Sequence, residues 1–129
     1  MRTFRLSNYR VMVVAALLLL GAATQGCSKK GSLTLDVANF NSAPADLKEK
    51  WKAAAESGSR KDYLGAATNL IEIFDKAQQL TAEQSEALNQ AWLKLGNMAF
   101  AAANAGDEAA TKAVLKMKET GIGERRGKQ

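Results

Sequence analysis

From residue 45 to its C-terminus the chain contains no proline, and from residue 27 onward 20 of 103 residues are alanine. Alanine has the highest intrinsic helix propensity and proline the largest penalty inside a helix. The apolar side chains of this stretch recur at three- and four-residue intervals, the spacing of one helix face rather than of a strand. An all-α fold is the expected outcome.

Four helices are read from the pattern. The first spans about 43–57, capped by Ser42, opened by Pro44 in its first turn and stopped at Gly58, with Leu47, Trp51, Ala54 and Ala55 on its apolar face. The second spans about 60–79 and starts at a capping-box-like Ser59 and Asp62. Its stripe is Tyr63, Ala67, Leu70, Phe74 and Ala77, widened by Ile71 and Ile73. The third spans about 82–104 behind a Thr81–Gln84 capping box, with Leu88, Trp92, Leu95, Ala99 and Ala102 inward. The fourth follows Gly106 and spans about 107–119; Asp107 favours its positive N-terminal end, and Ala110, Ala113, Val114 and Met117 face inward. Short joints make consecutive helices antiparallel. The expected architecture is two antiparallel helix hairpins over residues 43–119, then a disordered basic tail, 120–129, punctuated by Gly121, Gly123 and Gly127.

Residues 28–42 read as a flexible linker. Within them Leu33, Leu35 and Val37 alternate with Thr34 and Asp36, the period of a strand. With no second strand to pair with, an extended segment lying on a helix, plugged by Phe40, is favoured. Further upstream, Arg2, Arg5 and Arg10 precede an apolar run over residues 11–23 and then small residues up to Gly26. These are the parts of a secretory signal peptide. The run has 13 residues, whereas a bilayer-spanning helix needs roughly 20, so a permanent transmembrane helix is the weaker reading. The formal charge is +5, but from residue 27 onward 15 basic residues face 13 acidic ones. Basicity therefore carries no argument for nucleic-acid binding.

Thr24-Gln25-Gly26-Cys27 after such a run resembles the lipobox of bacterial lipoproteins. Leu20 and Gly21 lie earlier than the usual lipobox leucine, and Gln25 is larger than the family's usual small residue. The resemblance implies a signal peptide over residues 1–26, cut between Gly26 and Cys27, and a diacylglyceryl group on the Cys27 sulfur. Two acyl chains suffice to hold a protein stably on a membrane. The alternative is an ordinary signal peptide cut near Ala23 or Gly26, leaving a free thiol, which is a liability in an oxidising compartment. Serine at position 28 resembles the signal that releases enterobacterial lipoproteins to the outer membrane; the implied location is the cell envelope, on its periplasmic face.

Trp92-Leu93-Lys94-Leu95-Gly96-Asn97 resembles the opening of a tetratricopeptide unit, and Gly106-Asp107-Glu108-Ala109-Ala110 resembles its turn and second helix. Trp51, Tyr63 and Ala66 are spaced like a first unit, which has Ala54-Ala55 in place of the Leu-Gly pair. The resemblance implies close helix contacts at Ala55, Ala66, Gly96 and Ala109, with Trp51, Phe74, Trp92 and Phe100 filling the remaining volume. It also implies a groove for a peptide or helix of another envelope protein. Two units are fewer than the roughly three such stacks usually need. A partner, a homodimer or the linker folding back supplies the missing burial.

Chemistry is sparse. There is no histidine and one cysteine, which excludes a zinc finger, a disulfide scaffold, a Ser-His-Asp triad and a Cys-His nucleophile. No calcium loop and no glycine-rich phosphate loop is present, so no metal or cofactor is expected, and an enzyme is the least favoured class. Glu83 with Glu86, and Asp107 with Glu108, sit in first helical turns, where they favour the helix dipole. Lys112, Lys116, Lys118, Arg125, Arg126 and Lys128 form a basic end. It reads as a solvated face or, less readily, as a contact for anionic lipid, lipopolysaccharide or peptidoglycan. Phe100, together with Leu93, is the candidate for partner binding. Phe100 lies eight positions after Trp92, hence about 80° around the helix, on a second face with Leu93, Gly96 and Ala103. Packing against the first hairpin is preferred, because a small domain can hardly spare a phenylalanine; an open partner face is the alternative. The expected function is a membrane-anchored adaptor that holds another envelope protein, with a passive spacer or wall contact as the alternative.

Overall fold

The computed structural model describes residues 31–122. The expected signal peptide, the Gly26–Cys27 cleavage and lipidation site, and the tail from Gly123 lie outside the described residues. Within them the chain is all-helical, without a strand. Four α-helices are present: α1 Ala45–Ser59, α2 Tyr63–Phe74, α3 Ala82–Asn104 and α4 Glu108–Glu119. Short 3-10 turns occupy Val37–Phe40 and Ala77–Gln79. They form two hairpins, α1–α2 and α3–α4, and α2 touches all three other helices.

The two hairpin joints are built alike. At the end of α1 the Asp62 N–H donates to the Ser57 carbonyl and the Lys61 N–H to the Gly58 carbonyl. At the end of α3 the Asp107 N–H donates to Ala102 and the Gly106 N–H to Ala103. Both are Schellman closures. Each is followed at once by an aspartate that caps the next helix: Asp62 accepts from the Gly65 N–H at 2.9 Å and Asp107 from the Ala110 N–H at 3.0 Å. The left-handed position is Gly106 in one joint (φ 94°) and Lys61 in the other (φ 61°). A lysine there is costly, because its Cβ crowds the backbone. Joint for joint, α1–α2 is repeated as α3–α4 at a spacing of 45 residues.

Helix boundaries differ from the expected ones where a side chain was assigned the wrong cap. Residue 43 precedes a proline and is pushed out of the α region, so α1 starts at Ala45. Ser42 does not cap it: its Oγ accepts from Gln84 Nε2 at 3.2 Å. Gly58 does not end α1 but lies inside it, buried, and a Cβ there would sit 2.7 Å from Leu33 Cβ. Ser59 is not the cap of α2, since its Oγ donates to the Glu56 carbonyl. With Asp62 as cap, α2 is shorter than expected and ends at Phe74. For α3 the expected bounds and cap hold: the Gln84 N–H donates to Thr81 Oγ1, and the Thr81 N–H donates to Gln84 Oε1. Asp107 caps α4 rather than beginning it.

The core joins all four helices and the segment before them. Leu47, Trp51 and Ala54 of α1, Tyr63, Ala66, Ala67, Leu70 and Ile73 of α2, Leu88, Trp92, Leu95 and Ala99 of α3, and Ala110 and Ala113 of α4 are buried. The packed body begins at Leu33, ten residues before the expected boundary. Leu33 and Phe40 are fully buried, and Phe40 stacks on Trp51 with ring centroids 4.2 Å apart. The plug expected at Phe40 is present, and the linker from Leu33 onward is part of the fold. Ala77 and Ala109, expected at contacts, are exposed, as are Phe100 and Leu93. Two ion pairs seal the α1–α2 seam, Lys50–Glu72 at 2.7 Å and Lys76–Asp46.

At the outer face of α4 the repeat changes character. The positions that in α2 carry the buried Ala67, Leu70 and Ile73 are occupied in α4 by the exposed Lys112, Leu115 and Lys118. No helix of the described residues covers them, and the two lysines make this face more polar than its counterpart on α2.

Candidate functional site

Trp92, Gly96 and Phe100 stand on successive turns of α3 and form one wall of a cleft. Val114, Met117, Lys118 and Gly121 of the α4 side form the other, and the space between them is about 250 Å³. The capping box sets where α3 begins, and the Gly106 joint returns α4 alongside it. At Gly96 the Met117 side chain lies against α3, where a Cβ would sit 3.4 Å from Met117 Cε. Trp92 is anchored from behind, its ring edge-on to Phe74 of α2 at 5.4 Å and 79°.

Phe100 is 55% exposed, and Leu93 is 54% exposed. The preferred expectation, that Phe100 packs against the first hairpin, is overturned. The reason is angular: the first hairpin reaches α3 through Phe74 on the Trp92 side, and Phe100 is turned about 80° away from it. Leu93 lies seven positions before Phe100, about 20° from its line, yet it does not line the cleft. Leu115, on α4, is a third large exposed side chain at 55%. Val114 and Met117, expected to face the core, are partly buried and complete the cleft; Lys118 and Gly121 were not singled out for it. Their part depends on where the last turn of α4 meets Trp92, which no local pattern encodes.

A second groove, between α1 and α3, is filled by the protein's own chain. Residues 37–40 touch both helices. Trp51 Nε1 donates to the Asp36 carbonyl at 2.9 Å, and Asp36 caps the turn by accepting from the Ala38 N–H. A pocket of about 300 Å³ remains beside this segment, bordered by Asn39, Trp51, Gln90 and Lys94 among others.

The ionisable groups with shifted titration belong to the α1–α2 seam, not to the cleft. The Lys76 ammonium, hydrogen-bonded to Asp46, holds that carboxyl below its ordinary range, and the Glu72 carboxylate holds Lys50 above its own. Among the described residues no three His, Cys, Asp or Glu side chains are placed to share a metal ion. None of the described helices is long and apolar enough to cross a membrane. Compared with protein-family profiles, with curated proteins and with solved structures, the chain finds no match.

Proposed function

We propose that this protein is a lipid-anchored adaptor of a bacterial cell envelope, tethered through Cys27 and engaging another envelope protein through the α3–α4 hairpin. The observation that carries the reading is Phe100, a phenylalanine left more than half exposed at the wall of an apolar cleft. Exposed aromatic anchors next to pockets are where binding energy concentrates. A passive spacer has no use for such a face, so the adaptor is favoured over the spacer.

The 45-residue recurrence of the hairpin joint supports a reading as two helical-hairpin repeats, longer than the roughly 34-residue period of tetratricopeptide units. In that reading the α1–α3 groove is occupied in cis by residues 33–40, which moves recognition to the α3–α4 face. The anchor reading rests on the Arg-bearing n-region, the 13-residue apolar run and the single cysteine after Gly26. Leu33 is six residues beyond Cys27, a stretch that spans at most roughly 20 Å. No catalytic role is assigned, as the sequence offers no histidine and no second cysteine.

Two measurements test the proposal. Mass spectrometry of membrane-extracted protein is expected to find an acylated Cys27 as the N-terminus, and Cys27→Ser to leave the precursor uncleaved or the protein in the soluble fraction; normal processing and retention of the variant defeat the anchor. Pull-down from solubilised membranes is expected to recover a partner with the unaltered chain and to lose it with Phe100→Ala. Equal recovery by both removes Phe100 from the site.

A further inference from the structure

We propose that the α1–α2 joint is the face this protein turns to its bilayer, with Arg60 and Lys61 against the phosphates of anionic headgroups. This rests on the Cys27 anchor of the proposed function and adds how the anchored body is oriented. The tether ends at this joint. Leu33, the first packed residue, is fully buried. It lies against Gly58 in the last turn of α1, where a Cβ would sit 2.7 Å from Leu33 Cβ. Cys27 is six residues upstream of Leu33, at most roughly 20 Å of chain, and Lys29 and Lys30 fall within that stretch. The turn after α2 is at the other end of the hairpin. Lys76 there pairs with Asp46 in the first turn of α1, about 18 Å of helix from Gly58.

Charge and strain single out the joint. Arg60 and Lys61 are exposed, and neither side chain pairs with a carboxylate among the described residues. Of the acids beside them, Asp62 is engaged with the first turn of α2, accepting from the Gly65 N–H at 2.9 Å, which leaves Glu56 one turn back along α1. At the other end the exposed Asp75 and Glu83 stand near a lysine, Lys76, already paired with Asp46. The α3–α4 joint offers Asp107 and Glu108 and no basic residue between positions 104 and 109. Lys61 also holds a left-handed backbone, φ 61°, which a glycine would adopt without strain. A residue kept at such a cost in an exposed turn points to a use for its side chain. The field of an anionic bilayer falls off within a Debye length, about 8 Å, so the end that the tether holds close is the one that feels it.

The test uses the full, processed chain reconstituted in vesicles of phosphatidylethanolamine and phosphatidylglycerol. A photoreactive phenylalanine analogue is placed at the exposed position 59 of the joint or at the exposed position 78 of the opposite turn. Position 59 is expected to cross-link phospholipid about fivefold more than position 78. Arg60→Gln combined with Lys61→Gly is expected to lower the yield at 59 by about threefold or more, while the melting temperature holds or rises. In vesicles of phosphatidylcholine alone the two substitutions are expected to leave that yield unchanged. Equal yields from 59 and 78 overturn the inference, as does a yield at 59 that ignores the substitutions. A loss as large in phosphatidylcholine also overturns it, because the contact is then not one of charge. A chain that fails to float with the vesicles, or whose N-terminus carries no acyl group by mass spectrometry, overturns the anchor reading and the inference together.

Discussion

Single residues in this protein separate into those held by close packing and those left for something else to touch. Gly58 and Leu33 are the clearest packed pair, since a methyl group at position 58 collides with the Leu33 side chain. Gly58→Ala is expected to cost about 1–3 kcal/mol and Leu33→Ala about 2–5 kcal/mol. The double variant is expected to cost less than their sum, because truncating Leu33 makes room for the methyl; denaturant titration of the four proteins checks this. Phe100 behaves oppositely. Phe100→Ala is expected to change stability by less than about 1 kcal/mol, whereas Trp51→Ala, which removes the partner of Phe40, loses about 3–5 kcal/mol. Lys61 stands where a glycine would be relaxed. Lys61→Gly is therefore expected to raise stability by about 1 kcal/mol, offset in part by the freer unfolded chain, and a thermal melt that falls instead contradicts the strained turn.

Elements here are delimited by capping side chains more than by breakers. Asp62, Thr81 and Asp107 each accept a backbone N–H three residues on, and removing such a cap costs about 1 kcal/mol. Thr81→Ala is expected to lose about as much as Asp62→Ala in denaturant titration, because the Thr81 backbone N–H and Ser42, which hold the Gln84 side-chain amide, are both kept. The α1–α2 seam adds a pH dependence with a defined sign. Asp46 has a folded value below its ordinary 3.8 through the Lys76 contact, so its stabilisation is present above that value and is lost as pH falls through the folded one. Lys50 has a folded value above 10.5 through Glu72, so its share is present below 10.5 and is lost as pH rises beyond it. Both pairs are complete at neutral pH. Lys76→Gln is expected to flatten the fall of melting temperature as pH drops below the ordinary 3.8 of Asp46, leaving the alkaline limb unchanged; an unaltered acid limb excludes this pair as its source.

At the scale of the molecule, the groove side and the outer face of α4 are finished differently. Residues 33–40 cover Trp51 in the groove between α1 and α3, whereas the outer face of α4 carries exposed lysines beside Leu115. A chain beginning at residue 43 is expected to lose the cooperative melt of one beginning at residue 31, since it uncovers Trp51 and removes two fully buried side chains; circular dichroism on heating distinguishes the two. Much of this was legible in the residues. Alanine content, the stripes Leu47–Trp51 and Leu88–Trp92–Leu95, and the Thr81–Gln84 box specify helices and inward faces, because propensity, period and capping act over a few neighbouring residues. The cap of α2 was misread, since Ser59 and Asp62 offer similar chemistry and only the left-handed Lys61 decides which of them opens the helix. The same lysine hid the likeness of the two joints, where a glycine would have announced it. Tertiary structure alone decided the exposure of Phe100, the cover that Leu33 and Phe40 place over α1, and the cleft that Met117 and Lys118 share with Trp92. Each depends on the angle at which one helix meets another, and that angle is set by packing among side chains far apart in the chain.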